Sequence, residues 1–170
     1  ISGVFIGEDS IRQVYKLMET LHENNVNEVI NKILSLHASS TERMNFIGEM
    51  YNDIFLITGN EGSVLDIACG FNPFYIPCMS ISDQGKYYAA DINIKIIDLL
   101  NCFFSLTGIN GHAFANDVLY KTPDVPVHNV FLFKIIPLLE QQQKGFTGIL
   151  IDQLRSDFFT VTFPTKTLSG

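Results

Sequence analysis

No stretch of the 170 residues stays apolar for long enough to cross a bilayer. Runs such as 130–136 are interrupted by Lys134, so no membrane partner is expected. A secretory leader is not expected either, because the first ten residues carry Glu8 and Asp9 and no basic segment. Cysteine is scarce. Cys69, Cys78 and Cys102 are an odd number without paired spacing, which points to a reduced, cytoplasmic setting and not to a disulfide scaffold. With His112 and His128 they make no Cys-x-x-Cys or His-x-x-x-His pattern, so no metal is expected. The dinucleotide fingerprint Gly-x-Gly-x-x-Gly is missing, as is a Ser-centred nucleophile elbow. Positive charge is in deficit. Eleven lysines and arginines against 18 acids leave a formal net charge of −7, which speaks against a nucleic-acid partner, whose phosphates are usually met by a basic patch. Neither an internal repeat nor a low-complexity tract is present.

What is there is rich in core. The chain is 46% hydrophobic and 17% charged, which fits one globular domain with a small appendage. Apolar residues recur at helical spacing through 1–58. Ile11, Val14, Tyr15, Met18 and Leu21 predict an amphipathic helix over 10–22, broken by Asn24 and Asn25. Val26, Val29, Ile30, Ile33 and Leu34 predict a second. Ser39 and Glu42 fit a capping box opening a third, whose apolar face is Met44, Ile47, Tyr51, Ile54 and Phe55. From Ser63 onward strands alternate with helices. Strands are predicted at 64–67, 86–92, 112–115, 127–133 and 158–163. Ile96, Ile97, Leu100, Phe103 and Phe104 mark one helix, Pro137 starts or interrupts another, and 146–154 forms a third. That alternation implies a parallel sheet with right-handed crossovers. The expected fold class is α/β: a helical segment over 1–58 leading into a sheet domain over 59–170.

The stretch Ser63-Val-Leu-Asp-Ile-Ala-Cys-Gly-Phe-Asn-Pro73 organises the rest. A buried strand ends in the acid Asp66 and the small-residue turn Ala68-Cys69-Gly70, where Gly70 is free to take a positive φ. Strand, tight turn and helix make the first half of a nucleotide-type site in a doubly wound sheet, or a plain strand–helix turn with no ligand. Asp91 ends the second predicted strand and Asp117 follows the third. Taken singly, each acid reads more readily as a loop residue facing water or capping a helix than as a ligand. Three at successive strand ends favour a cofactor site. An acid after strand two is placed to accept from both hydroxyls of a ribose, and one after strand three to reach an adenine amine. Arg43 offers a planar fork for a carboxylate, or is a solvated first-turn arginine. His37 is a ligand contact or a helix-end hydrogen bonder. Lys134 meets a phosphate, a base or the cofactor, or snorkels to the surface.

Four stretches together resemble one family: His37-Ala-Ser-Ser-Thr-Glu-Arg43, Leu65-Asp-Ile-Ala-Cys-Gly-Phe-Asn-Pro73 with Pro77, Phe133-Lys-Ile-Ile-Pro-Leu-Leu-Glu-Gln-Gln142, and Phe163-Pro-Thr-Lys-Thr-Leu-Ser-Gly170. In matching order, over residues 35–170, they are similar to the aminoglycoside-resistance 16S ribosomal RNA methyltransferases. The second stretch is similar to motif I of the S-adenosylmethionine-dependent methyltransferases, with Ala68 in place of the usual first glycine. The resemblance implies a Rossmann-like class I methyltransferase sheet, here without its last two strands. It implies S-adenosylmethionine as methyl donor and N7 of a guanine in the decoding A site of the small ribosomal subunit as acceptor. By resemblance, Arg43 holds the donor's carboxylate and His37 belongs to the same motif. The Ala68–Gly70 turn passes its methionine end, Asp91 binds its ribose, Asp117 lies near its adenine, and Asp66, Ile92 and Val118 are counted among the other cofactor contacts. Lys134 and Pro137 stand beside the target base as the catalytic positions. Guanine N7 has a free lone pair, so proximity and alignment suffice without a general base, and the base must be exposed or flipped from its stack.

Two departures accompany the resemblance. The lead-in of 58 residues is shorter than the family's RNA-docking region, and the net charge is acidic. An open fifth strand would suit pairing into a homodimer. Two other readings follow: a truncated, cofactor-binding but inactive module serving in interaction or dimerisation, and a methyltransferase for a small molecule, which the acidic charge favours.

Overall fold

The helical spacing of the lead-in is realised as four helices in the computed structural model, which describes residues 7–36, 38–41, 44–79, 81 and 85–164. Helix α1 (Glu8–Met18) buries Ile11, Val14 and Met18. It ends before the predicted residue 22 because polar side chains take over its last carbonyls. Thr20 Oγ1 donates to Leu17 O at 2.7 Å, and Asn25 Nδ2 to Thr20 O at 2.7 Å. Helix α2 (Val26–Ser35) turns Val29, Ile30, Ile33 and Leu34 inward. The single third helix predicted from the capping box is split. α3 covers only Ala38–Thr41, and α4 runs over Ile47–Thr58. Phe46, at φ −131°, breaks the helical ladder between them. The box itself depends on Glu42, which lies outside the described residues.

β1 (Val64–Ile67) is buried along its whole length. The helix expected after the motif turn is a 3-10 segment over Asn72–Cys78. Pro73 and Pro77 bring no N–H, so an α ladder does not close there. There follow β2 (Tyr87–Asp91), α5 (Ile94–Thr107), β3 (Gly111–Ala115), β4 (Val127–Phe133), α6 (Ile136–Gln142), α7 (Phe146–Gln153) and β5 (Ser156–Thr162). All neighbouring strands pair in parallel in the order β3-β2-β1-β4-β5. The chain winds outward from β1 to β3, then crosses back to β4 and out to β5. The order therefore reverses between β1 and β4, and ligands of doubly wound sheets bind at the carboxyl ends of the strands at such a switch point.

Each face of the sheet carries its own apolar layer. On one, Val14, Ile30, Leu34, Tyr51, Phe74, Leu100 and Phe103 cover Val64, Ala89 and Phe131. On the other, Leu139, Phe146 and Leu150 cover Leu65, Ile67, Val130 and Leu132. Aromatic rings dock α4 onto β4: Tyr51 stands 6.0 Å from Phe131 and 6.2 Å from Phe133, centroid to centroid. At the amino ends of the strands the same helix is clamped by His128. Its Nε2 meets the Thr58 carbonyl and its Nδ1 lies 2.9 Å from Asp157 Oδ2 on β5. Both partners only accept, which favours the protonated ring and raises the His128 pKa from its ordinary value. Gly62 is required beside it, since a Cβ there would come within 2.1 Å of His128 Cβ. The outer edge of β3 is closed by a side chain. Asn101 on α5 donates to Ala113 O at 2.9 Å and accepts from Ala113 N at 3.0 Å, as a neighbouring strand would.

Candidate functional site

β1 leaves the sheet through Ala68-Cys69-Gly70. Ala68 (φ +55°) and Gly70 (φ +52°) are both left-handed, so the chain doubles back within three residues. Between them Cys69 is buried, and its N–H donates to the Ala90 carbonyl at 3.1 Å, pinning the turn to β2. Burial pushes the Cys69 thiol well up, with Asp66 and Asp91 adding to the effect, so it packs as a neutral group and is no nucleophile.

Asp91 is the knot of the site. Its Oδ2 accepts from Gly70 N–H at 2.9 Å and its Oδ1 from Asn93 N–H at 2.9 Å. One carboxylate thus ends β2, holds the motif turn, and sets the start of α5, where Asn93 caps the Lys95 N–H at 3.0 Å. The residue keeps 9% of its surface exposed. An ionised carboxylate has about four lone-pair sites, so two backbone bonds leave capacity for a diol. Above the turn the space is open: a Cβ on Gly70 would meet nothing within 4 Å. Ile92, 53% exposed, adds an aliphatic surface. A clear floor, an acceptor and an apolar wall fit a nucleoside.

The remaining predicted residues divide. Asp66 lies within β1, beneath the motif turn. It is 0% exposed, and its Oδ2 accepts from Tyr87 Oη at 2.8 Å, its Oδ1 from Asn72 Nδ2 at 3.5 Å. Burial and the adjoining Asp66 push the Tyr87 phenol well up, which keeps it a donor. Val118 packs its side chain in the layer that contains Ala90 and Val130. Asp117 is exposed at the end of β3 and folds its own turn, Oδ1 accepting from Leu119 N–H at 3.1 Å. Asn116 N–H donates to Asp91 O at 2.9 Å and joins the ends of β2 and β3. Lys134 is half-buried just past β4, at φ +59°, its N–H donating to Thr162 O at 2.9 Å. Pro137 is exposed in the first turn of α6. His37 and Arg43 lie outside the described residues. Thus Ala68, Gly70, Asp91 and Ile92 are brought together at the switch point, Asp117 sits one strand outward, and Lys134 and Pro137 follow the strand beside β1.

Tyr87, Asn72 and Asn93 belong to the site and were missed. Asn93, just before a helical apolar face, carries a capping signal that the sequence does offer. Tyr87 carries none, since it acts through Asp66, 21 residues away, while Asn72 reaches the same acid from six residues on, inside the motif stretch. Two open hollows of about 420 Å³ lie elsewhere, one lined by Ser63, Pro126 and Arg155, the other by Gly59, Gly62 and His128. Both are at the amino ends of the strands, away from the crevice. Among the described residues no group of three or more His, Cys, Asp or Glu is placed to hold a metal ion, and no helix is long and apolar enough to cross a membrane.

A parallel doubly wound sheet, with a left-handed turn after β1 and an acid ending β2, defines the α/β class that binds nucleoside-bearing cofactors at the switch point, class I methyltransferases among them. A family model described as ribosomal RNA methyltransferase (FmrO) matches residues 9–170. A 16S rRNA (guanine(1405)-N(7))-methyltransferase of Micromonospora echinospora is 32% identical over 158 residues, 93% of this chain and 58% of that protein. One of Micromonospora rosea is 34% identical over 137 residues, 81% of this chain and 50% of that protein. Among solved structures, 16S rRNA methyltransferase RmtF in complex with S-adenosyl-L-homocysteine superposes with a TM-score of 0.88 at 31% identity, covering 100% of this chain and 64% of that one. The chain belongs to the FmrO family of ribosomal RNA methyltransferases. It spans about half the length of the curated relatives it matches.

Proposed function

We propose that this chain is the donor-binding and catalytic part of an S-adenosylmethionine-dependent methyltransferase that modifies N7 of a guanine in the A site of 16S rRNA and so confers aminoglycoside resistance. The observation that carries the reading is the Asp91 knot: a carboxylate that holds the motif turn open while keeping acceptor capacity toward the crevice. When bound, S-adenosylmethionine supplies an electrophilic methyl group. Asp91 accepts from its ribose hydroxyls, Gly70 keeps the floor clear, Ile92 offers apolar surface to its adenine, and Asp117 lies toward the adenine amine. The sequence motif adds Arg43 for its carboxylate, with His37. Lys134 and Pro137, on the β4 side, border the entry of the target base. Guanine N7 presents its own lone pair, so these residues hold no proton and act by alignment and exclusion of water. The methyltransferase domain is the part over 59–170, preceded by the segment over 1–58, and the working partner is the small ribosomal subunit in the cytoplasm.

The test is incubation of small ribosomal subunits with isotope-labelled donor, followed by mapping of the modified nucleotide. Label at N7 of one A-site guanine is expected. Label elsewhere in the RNA, or none while calorimetry shows the donor bound, rejects the reading.

A further inference from the structure

The turn after β3 carries a side chain that packing does not explain. Tyr120 is 92% exposed. The turn beneath it is tightly fixed: Tyr120 N–H and Lys121 N–H both donate to Asp117 O, at 3.0 and 2.9 Å. Leu119 N–H donates to Asp117 Oδ1 at 3.1 Å, and Asn116 Nδ2 to Lys121 O at 3.1 Å. Val118 is buried at the base of the turn. A fixed backbone thus presents a phenol ring to solvent with an exposed Lys121 beside it. Because β3 is parallel to its neighbours, this turn stands on the carboxyl rim, the same side as Gly70 and Asp91.

We propose that Tyr120 is a stacking platform for an unpaired base of the ribosomal RNA, positioning the substrate at the rim of the donor crevice. The proposal rests on the function argued above and names a contact within it. Stacking suits this chain in particular. A net charge of −7 gives little general attraction for phosphates, whereas every base offers a π-face irrespective of charge. A ring on a pinned turn loses little freedom when a base settles on it, and Lys121 adds a cation for a neighbouring phosphate.

Tyr120→Ala and Tyr120→Phe are to be compared with the parent chain for retention of small ribosomal subunits, kcat/KM for their methylation, donor Kd and thermal midpoint. A base–aromatic stack converts to about a 5- to 140-fold effect. Tyr120→Ala is expected to lose that factor in kcat/KM and in subunit retention, with donor Kd and midpoint unchanged, and Tyr120→Phe to stay close to the parent. The salt dependence of retention is expected to be the same in all three, since no ion pair is removed. Parent-like kcat/KM and retention in Tyr120→Ala overturn the proposal, as does a loss matched by weaker donor binding or a lower midpoint. If the parent methylates subunits and Tyr120→Ala does so equally well, only the stacking role falls. If the parent neither retains nor methylates them, the function falls too. If it retains them without methylating, retention by Tyr120→Ala decides.

Discussion

Replacing Tyr87 with Phe removes one oxygen and leaves the ring in place. Tyr87 is buried, and its hydroxyl donates at 2.8 Å to Asp66, which has no exposed surface. No cavity opens, because the ring stays. What is lost is a hydrogen bond to a buried charged group, worth about 1.5–3 kcal/mol. The longer contact from Asn72, 3.5 Å, does not make up for it. For a domain of this size, the melting midpoint is expected to fall by about 3–12 °C. In urea the transition midpoint should drop with an unchanged slope, since the surface exposed on unfolding is the same.

Two further measurements isolate the cause. In an Asp66→Asn background the same change should cost less, with a coupling of about 0.5–3 kcal/mol between the two positions. The alkaline side of the stability profile should also change. The Tyr87 phenol is raised well above its ordinary value, chiefly by burial and then by Asp66. Above about pH 10 the unfolded chain sheds this proton and the folded chain keeps it, so stability falls as pH rises. Tyr87→Phe removes this residue's share of that fall and leaves the shares of Cys69 and Tyr15. A variant within about 0.5 kcal/mol of the parent, with the alkaline limb intact, refutes the claim that this pair secures the turn from beneath.

Three other outcomes follow from the same geometry. Asp91→Ala should weaken donor binding by about 1–3 kcal/mol, read by calorimetry, since it removes the proposed diol acceptor and frees the Gly70 N–H together. His128 is raised, first by its bond to the Thr58 carbonyl and then by Asp157. The stability it contributes is full below its ordinary value near pH 6.5 and is lost as pH rises through the folded value, so His128→Asn should flatten the profile on that side when urea midpoints are measured across pH. Asn101→Leu strips two bonds from Ala113 at the β3 edge. It should destabilise by about 1–3 kcal/mol and raise self-association in sedimentation velocity, because the edge is bared.

β1 and β4 were legible to the residue, at 64–67 and 127–133, because turn-forming residues bound apolar runs on both sides. The same property hid the role of Asp66. A strand covered on both faces has no alternation to tell inside from outside, so its acid reads as one near a strand end open to the crevice. The structure places it inward, toward Tyr87 of β2. Asp91 could be located because it ends a strand, yet its bonds to Gly70 and Asn93 depend on how β2 registers against β1, and one sequence does not encode that pairing locally. The split between α3 and α4 was lost for the opposite reason: apolar spacing continues straight through Phe46, while the backbone there does not.

The two strands that flank the switch point both exit through a left-handed residue that is not glycine, Ala68 after β1 and Lys134 after β4. Each such residue costs about 1–2 kcal/mol relative to glycine's freedom in that region. The surroundings hold both: Cys69 N–H on Ala90 O and Gly70 N–H on Asp91 at one exit, Lys134 N–H on Thr162 O at the other. Backbone strain that is over-determined on both sides of one crevice is what a site needing fixed geometry shows. It also yields a sharp outcome at Ala68, whose side chain is exposed and packs little. Ala68→Gly relieves the strain but loosens the unfolded chain by about 0.4–1 kcal/mol, so the net gain should be roughly 0.5–1 kcal/mol in urea unfolding. If Ala68 serves to stiffen the turn, donor affinity should fall while stability rises. Gains in both would show that the alanine is a tolerated burden and that Asp91 alone sets the turn.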